Sequence, residues 1–373
     1  MRVGVVHEWW AAEGGSERVV EAVCEALGSD EVFTLWADGR PSSDRVRVAE
    51  SVLARSPIRG NKVAALALAP LLWRHTKFEE QVDCMVVSSH AFAHHARIRT
   101  SPGTPKLVYV HTPARYLWEP QLDPRGAGAA MRVVAPAFKA IDRRRAQEAT
   151  AIAANSQFVR ERIARCWGVD ASVIYPPVDV SRIQSEQDWT RRLAVDALEI
   201  LKQLPSEFIL GASRFVSYKA LDRVIDLGEA IGLPVVLAGS GPDEARLRAR
   251  AESSTVPVYW VDRPETPLLY ALYQRALLYV FPPVEDFGIM PVEAMAAGTP
   301  VVANATGGAS ETVKMGYSGA TVSTWQPDEL RQAAENALRI EKQTVAKYAS
   351  QFSQERFQRE FVAWVDSAFG GHS

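Results

Sequence analysis

Two carboxylates eight positions apart, Glu285 and Glu293, stand in the stretch FPPVEDFGIMPVEAMAAGTPVVA, residues 281–303. The apolar run Ala276–Phe281 meets Pro282-Pro283, which cannot continue a strand ladder and forces a loop. Glu285 and Asp286 follow, then Gly288 and a helix-forming run opened by Pro291, where a missing amide hydrogen costs nothing. Gly298-Thr299-Pro300 ends that helix, and Val301-Val302-Ala303 starts the next strand. Glu285 therefore lies at the mouth of a strand-to-helix loop, with Glu293 about one turn into the helix. Free amides at a helix start attract phosphate, and carboxylates accept hydrogen bonds from hydroxyls. The pattern suits a ligand that carries both groups.

A complementary pair of cations precedes it. Arg214 and Lys219, in SRFVSYKALD, follow the apolar strand Phe208–Ala212 and come before the helix expected over Ala220–Ile231. At the carboxyl end of a sheet they form a clamp for a diphosphate, Arg forking onto two oxygens and Lys acting as a point charge. No Asp-x-Asp motif is present, and two cations replace a divalent ion in neutralising a diphosphate, so neither metal nor cofactor is expected. Glycine-rich turns follow two other strands: Glu13-Gly14-Gly15-Ser16-Glu17 after Arg2–His7, and Gly239-Ser240-Gly241 after Val235–Ala238. Such turns let a ligand approach the backbone closely, but neither has the GxGxxG spacing of a dinucleotide site. His111 opens HTPARYLWE, directly after the strand Lys106–Val110 and so at another sheet edge. His94-His95 has no carboxylate at metal-ligand spacing and reads as a surface pair.

The elements that must position these residues alternate strand and helix, which predicts parallel sheets. With 373 residues, two domains are expected. The strand Val173–Tyr175 is stopped by Pro176-Pro177, and the polar run Ser181–Arg192 reads as an interdomain linker. The predicted organisation is a first domain over 1–180, a second over 181–351, and a final segment over 352–373. In that segment Phe357, Phe361 and Trp364 anchor a helix. Hydrophobic content of 47% with 23% charged residues describes an ordinary globular protein, and a net charge of −2 argues against a nucleic-acid partner. The charge is uneven. Residues 55–148 carry 15 Lys/Arg against 7 Asp/Glu, whereas residues 1–50 carry 5 against 10. The apolar run Val63–Trp73 with basic flanks, and the basic helix Arg132–Ala149, could touch an anionic membrane or a phosphorylated lipid. They could equally be a core helix and a solvated face. Three scattered cysteines suggest reduced thiols, and Glu8 interrupts any secretory apolar region, so a cytoplasmic protein, at most at the inner membrane face, is expected.

The stretch EDFGIMPVEAMAAGTPVVA, with Glu285-x7-Glu293, closely resembles the donor-site signature of the retaining glycosyltransferases of family 4. That resemblance implies the GT-B fold: two Rossmann-like parallel-sheet domains facing a central cleft, with the last helix crossing back to the first. SRFVSYKALD resembles the family's Arg-x4-Lys diphosphate motif, with Ala220 where the family usually has glycine. HTPARYLWE resembles a mannosyltransferase-rich branch, which favours GDP-mannose as donor, with a UDP-sugar as competitor.

By resemblance, Arg214 and Lys219 neutralise the leaving diphosphate, and Glu293 accepts from the ribose hydroxyls. Glu285 and the backbone of Phe287, Gly288 and Ile289 hold the sugar, and His111 bonds it from the other domain. Gly14, Gly15 and Gly239 line the donor site, and Val261 lies where the family grips the base through backbone. The acceptor implied is a glycan or lipid-linked glycan. A non-catalytic nucleotide-sugar-binding subunit is the reading from outside enzymes, although all four charged motif residues are present.

Overall fold

The structure, a computed structural model, describes residues 1–11, 14–120 and 129–370; Glu13 of the Gly-Gly turn and residues 371–373 of the expected final segment lie outside the described residues. The chain forms two compact units, one of residues 1–177 with 354–373 and one of residues 178–353.

In the first unit the strands are β1 (Val3–His7), β2 (Glu31–Thr34), β3 (Arg47–Glu50), β4 (Cys84–Ser89), β5 (Lys106–Val110), β6 (Ala151–Ala154) and β7 (Ser172–Val173). They build one seven-stranded parallel sheet in the order β3-β2-β1-β4-β5-β6-β7. Its central strands, VGVVH, CMVVSS and KLVYV, are buried along their whole length, as expected for strands covered on both faces. One face packs the helix Gly15–Leu27 and the last helix, Gln354–Gly370, whose Phe357, Phe361 and Trp364 join Val20, Val23 and Tyr109 in a single cluster. Glu25 ties the two helices together by accepting from Gln354 and Gln358, each at 2.9 Å. The other face is filled by Trp36, Trp73, Ile163 and Trp167. In the helix Lys62–Leu72, Ala65 and Ala69 are buried, whereas Leu68 and Leu71 are 43% and 69% exposed.

The second unit carries β8 (Ile209–Ala212), β9 (Val235–Ala238), β10 (Val258–Val261), β11 (Leu278–Phe281), β12 (Val301–Asn304) and β13 (Gly319–Val322). Its sheet, also parallel, runs β10-β9-β8-β11-β12-β13. The chain steps outward from β8 to β10, returns to lay β11 beside β8, and steps outward the other way. The order reverses between β8 and β11 here, and between β1 and β4 in the first sheet. Doubly wound sheets bind ligands beyond the carboxyl ends of their strands at such points.

The run Ser181–Arg192 is not a linker but part of the second unit. It forms the helix Val180–Ser185 and a turn at Trp189–Arg192. Trp189 is buried, donates its indole N–H to the Ile183 carbonyl at 3.0 Å, and has its amide bonded to Gln274 Oε1 at 2.9 Å. Burial of one aromatic outweighs the polar composition that suggested a linker. Strand β13 and the helices Pro327–Leu338 and Lys342–Ala349 were not anticipated, although Pro327 at the start of the first helix with Asp328 and Glu329 in its first turn is a start signal. In the first of these helices three of the four buried positions are alanines, Ala333, Ala334 and Ala337, a faint apolar stripe. Among the described residues no helix is long and apolar enough to cross a membrane.

Candidate functional site

The loops after β8 and β11 are neighbours because those strands are. Lys219 ends a short 3-10 turn, Ser217–Lys219, with its stem buried, and its ammonium forms an ion pair with Glu285. The same ammonium lies 5.5 Å from the centroid of Tyr218 and 5.8 Å from that of Phe281, within cation–π range. Arg214 is exposed and makes no ion pair among the described residues. Ala220 adopts φ 49°, ψ 43°, the left-handed conformation, which costs an L-residue about 1–2 kcal/mol. The loop thus keeps a glycine-like backbone despite lacking the glycine. The turn Gly239-Ser240-Gly241 supports it from beneath: the Phe215 amide donates to the Ser240 carbonyl at 2.8 Å, and Gly239 donates to the Val261 carbonyl at 2.8 Å. Val261 therefore ends β10 beside this turn, and Arg263, two residues on, sits at φ 36°.

The acidic loop after β11 is held by the turn that follows β12. Gly308 donates its amide to the Glu285 carbonyl at 2.7 Å, and a Cβ there would lie 2.1 Å from the Asp286 carbonyl oxygen, so only glycine fits. Asn304 bonds the Pro282 carbonyl at 3.0 Å. Gly288, at φ 92°, begins the helix Ile289–Ala296 without a side-chain cap. The helix starts two residues before Pro291, which falls in the first turn, where no amide hydrogen is required. Phe287 is buried against Phe352, and Glu293 is buried at 8% exposure. Burial, with Glu285 and Glu293 adding to it, holds the Tyr279 phenol well above its ordinary range, and that hydroxyl donates to the Ala212 carbonyl at 3.0 Å. Lys219, Glu285, Gly288 and Glu293 are thus gathered at the switch point of the second sheet. The site offers a cation, carboxylates and a helix start.

Gly14, Gly15 and His111 belong to the first unit. At Gly14 a Cβ would lie 2.0 Å from Glu17 Oε2, so a larger residue there would displace that carboxylate. The HTPARYLWE loop is anchored where Arg162, buried, donates to Thr112 Oγ1 at 2.8 Å and pairs with Glu119 at 2.9 Å. His111 Nε2 lies 2.8 Å from Ser88 Oγ, which is 3.1 Å from His7 Nδ1, and His7 Nε2 is 3.8 Å from Glu17. Sequence reading passed over His7, Ser88 and Glu17, although the first two lie at the carboxyl ends of β1 and β4.

His94 and His95 are buried, not surface residues. Asp142, 47 positions after His95, reaches both rings, at 3.1 Å from His94 Nε2 and 2.9 Å from His95 Nε2. Its other oxygen accepts from the indoles of Trp118 and Trp167 at 2.7 Å each. Burial alone would raise this carboxyl, but His94 and His95 hold it well below the usual range. Burial, with His94 adding to it, lowers His95 to about 4, so its ring is neutral. These three residues could hold a metal ion. The two indole donors and the Lys106 ammonium, 2.7 Å from the His94 carbonyl, tie the same cluster into a hydrogen-bonded hub.

Two parallel α/β units with polar residues gathered at the switch points define a doubly wound α/β protein. The family model described as Glycosyltransferase Family 4 matches residues 13–182, and that described as Glycosyl transferases group 1 matches residues 199–356. The chain belongs to glycosyltransferase family 4 and has the GT-B fold. It is 30% identical over 198 residues to the GDP-mannose-dependent alpha-(1-6)-phosphatidylinositol monomannoside mannosyltransferase of Mycobacterium tuberculosis, covering 49% of this chain and 51% of that protein. It is also 30% identical over 176 residues to the D-inositol 3-phosphate glycosyltransferase of Mycobacterium avium, covering 45% and 40% respectively. The chain spans about half the length of the curated relatives it matches. Among solved structures, Anabaena HepE in complex with UDP superposes with a TM-score of 0.70 at 18% identity, over 98% of this chain and 100% of that one. Sucrose-phosphate synthase from Thermosynechococcus elongatus gives 0.71 at 17% identity, over the whole of both chains.

Proposed function

We propose that this protein is a retaining glycosyltransferase that moves a hexose, mannose from GDP-mannose, onto a glycan or lipid-linked glycan without a metal ion. The observation that carries this reading is the Lys219–Glu285 ion pair beside an uncapped helix start, with Glu293 buried in that helix, at the switch point of the second sheet. Arg214 and Lys219 take the negative charge that develops on the leaving diphosphate, the role in which preorganised donors contribute most to rate. A diphosphate reaching Lys219 competes with Glu285 for the ammonium and leaves that carboxylate to accept from sugar hydroxyls. The amides at Phe287, Gly288 and Ile289 add to the hold on the donor, Glu293 takes the ribose hydroxyls, and His111 bonds the sugar. Gly14, Gly15 and Gly239 give the donor close backbone approach, and the backbone at Val261 meets the base. The leaving phosphate accepts the acceptor's proton, so substitution proceeds on the front face with retention.

The mycobacterial mannosyltransferase, by its name GDP-mannose-dependent, supports the choice of donor. The UDP bound to Anabaena HepE supports a UDP-sugar as second reading. The basic stretch 55–148 of the first unit, with Leu68, Leu71 and Val133 exposed, supports an acceptor presented at an anionic membrane surface from the cytoplasmic side.

A thermal-shift panel of GDP, UDP and their sugars tests the donor. Stabilisation by GDP and GDP-mannose alone is expected, and stabilisation by UDP compounds alone would overturn the mannose reading. Flotation with anionic liposomes tests the membrane, salt-sensitive binding being expected.

A further inference from the structure

The Lys219–Glu285 ion pair joins two groups whose charges a donor would use separately, and the fold holds both in place. The Lys219 stem is buried, and its ammonium lies 5.5 Å from the centroid of Tyr218 and 5.8 Å from that of Phe281. Among the described residues Glu285 Oε1 is the hydrogen-bond acceptor of that ammonium. Glu285 is pinned by its backbone. Its carbonyl accepts from the Gly308 amide at 2.7 Å, and a Cβ at Gly307 would lie 2.9 Å from the same oxygen. Pro282 and Pro283 stiffen the approach from β11, and Asn304 holds the Pro282 carbonyl at 3.0 Å. The Glu285 side chain is 22% exposed and that of Lys219 11%, so water screens the pair only in part.

An anion that takes the ammonium therefore leaves a carboxylate close by without its partner, and two like charges then face one cation. For a nucleoside diphosphate alone that exchange is uncompensated. For a nucleotide sugar the freed carboxylate accepts from sugar hydroxyls, which offsets the loss. Once the sugar has left, the same carboxylate again contests Lys219. Arg214, exposed and without an ion pair among the described residues, carries no such competition.

We propose that Glu285 discriminates the nucleotide-sugar donor from the nucleoside diphosphate product: by holding Lys219 it weakens the product's grip and favours its release. This rests on the roles given to Lys219 and Glu285 above.

The test is isothermal titration of GDP and of UDP into the full chain and its variants. Glu285→Gln removes the charge and keeps the shape. It should bind the nucleoside diphosphate about fivefold tighter than the parent, the upper end for one ion pair near a surface. Lost packing would not tighten binding. Lys219→Ala should weaken it, and in the double variant the gain from Glu285→Gln should vanish, because the competition acts through the ammonium. The nucleotide sugar of the base that binds, GDP-mannose or UDP-glucose, should gain less than its diphosphate. Glu285→Ala answers where Glu285→Gln fails to fold. Unchanged or weaker diphosphate binding by Glu285→Gln overturns the proposal while leaving the diphosphate at Lys219. An equal gain in the double variant, or for the nucleotide sugar, does the same. Binding indifferent to Lys219→Ala, or no binding of either nucleotide to any variant, overturns the reading of the site and the proposal with it.

Discussion

At the switch point of the first sheet the polar side chains, buried except for the half-buried His111, contact one another: Glu17 beside His7, His7 bonded to Ser88, Ser88 to His111, with the Asp142 hub in the same unit. At the switch point of the second sheet Arg214 is exposed, Lys219 and Glu285 form one ion pair, and the loops are held mainly by glycine backbone. The same topology carries two different devices. One is a network of side chains that contact one another. The other is a set of charges, one pair of which is joined and one of which is exposed, that the proposed function assigns to a donor. Buried polar groups must be satisfied internally, whereas exposed or half-buried ones such as Arg214 and Glu285 can exchange a protein partner for another at smaller cost.

That contrast can be broken by substitution, and the largest effect should be on stability in the first unit. Asp142→Ala leaves three N–H donors, from the buried His95 and Trp167 and the half-buried Trp118, without their acceptor. A loss of about 3–5 kcal/mol is expected in urea unfolding; a change under 1 kcal/mol would show that the hub is not structural.

In the second unit Lys219→Ala should instead spare the fold and cut kcat by about 10²–10³-fold, the cost of one preorganised charge donor. Steady-state transfer assays with folded variant read this directly, and near-parental turnover would remove Lys219 from the diphosphate. Gly308→Ala tests whether the glycine turn aims the acidic loop. Its methyl would meet the Asp286 carbonyl, and a displacement of about 1 Å at Glu285 should cost about 10²-fold in kcat/KM.

The pH dependence of stability separates two buried groups of the first unit. Burial lifts Glu8, bonded to the amides of Ala91 and Ala93, to about 7. Its folded value lies above its unfolded one, so its contribution is complete below about pH 4.5 and is lost as pH rises through 7. His95, lowered to about 4, has the opposite sign: its contribution is present above about pH 6.5 and lost as pH falls through 4. Glu8→Gln should therefore gain melting temperature relative to the parent between pH 5 and 8. An identical pH profile would show that Glu8 does not titrate in that window. The smallest effect belongs to Ala220→Gly, which relieves the left-handed backbone and should stabilise by about 1 kcal/mol in urea unfolding without lowering activity.

Much of the second site was legible in the sequence because its parts are local. Glu285, Gly288 and Glu293 lie within one strand–loop–helix unit, and Arg214 and Lys219 within another, so spacing along the chain already places each set at a sheet edge. The alternation of strand and helix likewise announced two parallel sheets, since continuous apolar runs separated by amphipathic helices have few other ways to bury both faces. The first site was not legible in this way. Glu17, His7, Ser88 and His111 are distributed over 105 positions, and nothing in their neighbours marks them as partners. His94-His95 looked solvent-facing because its carboxylate, Asp142, arrives on a different helix. The polar run Ser181–Arg192 looked like a linker until Trp189 found a pocket beside Gln274.

What the sequence alone determined, then, is the fold class and the charges of the second site, because periodicity and short-range spacing are properties of contiguous chain. What only the tertiary structure decided is that Lys219 meets Glu285, and that His111 is wired through Ser88 and His7 to Glu17. Those pairings follow from strand order, β8 beside β11 and β1 beside β4, and strand order is set by the packing of whole sheets rather than by any local string.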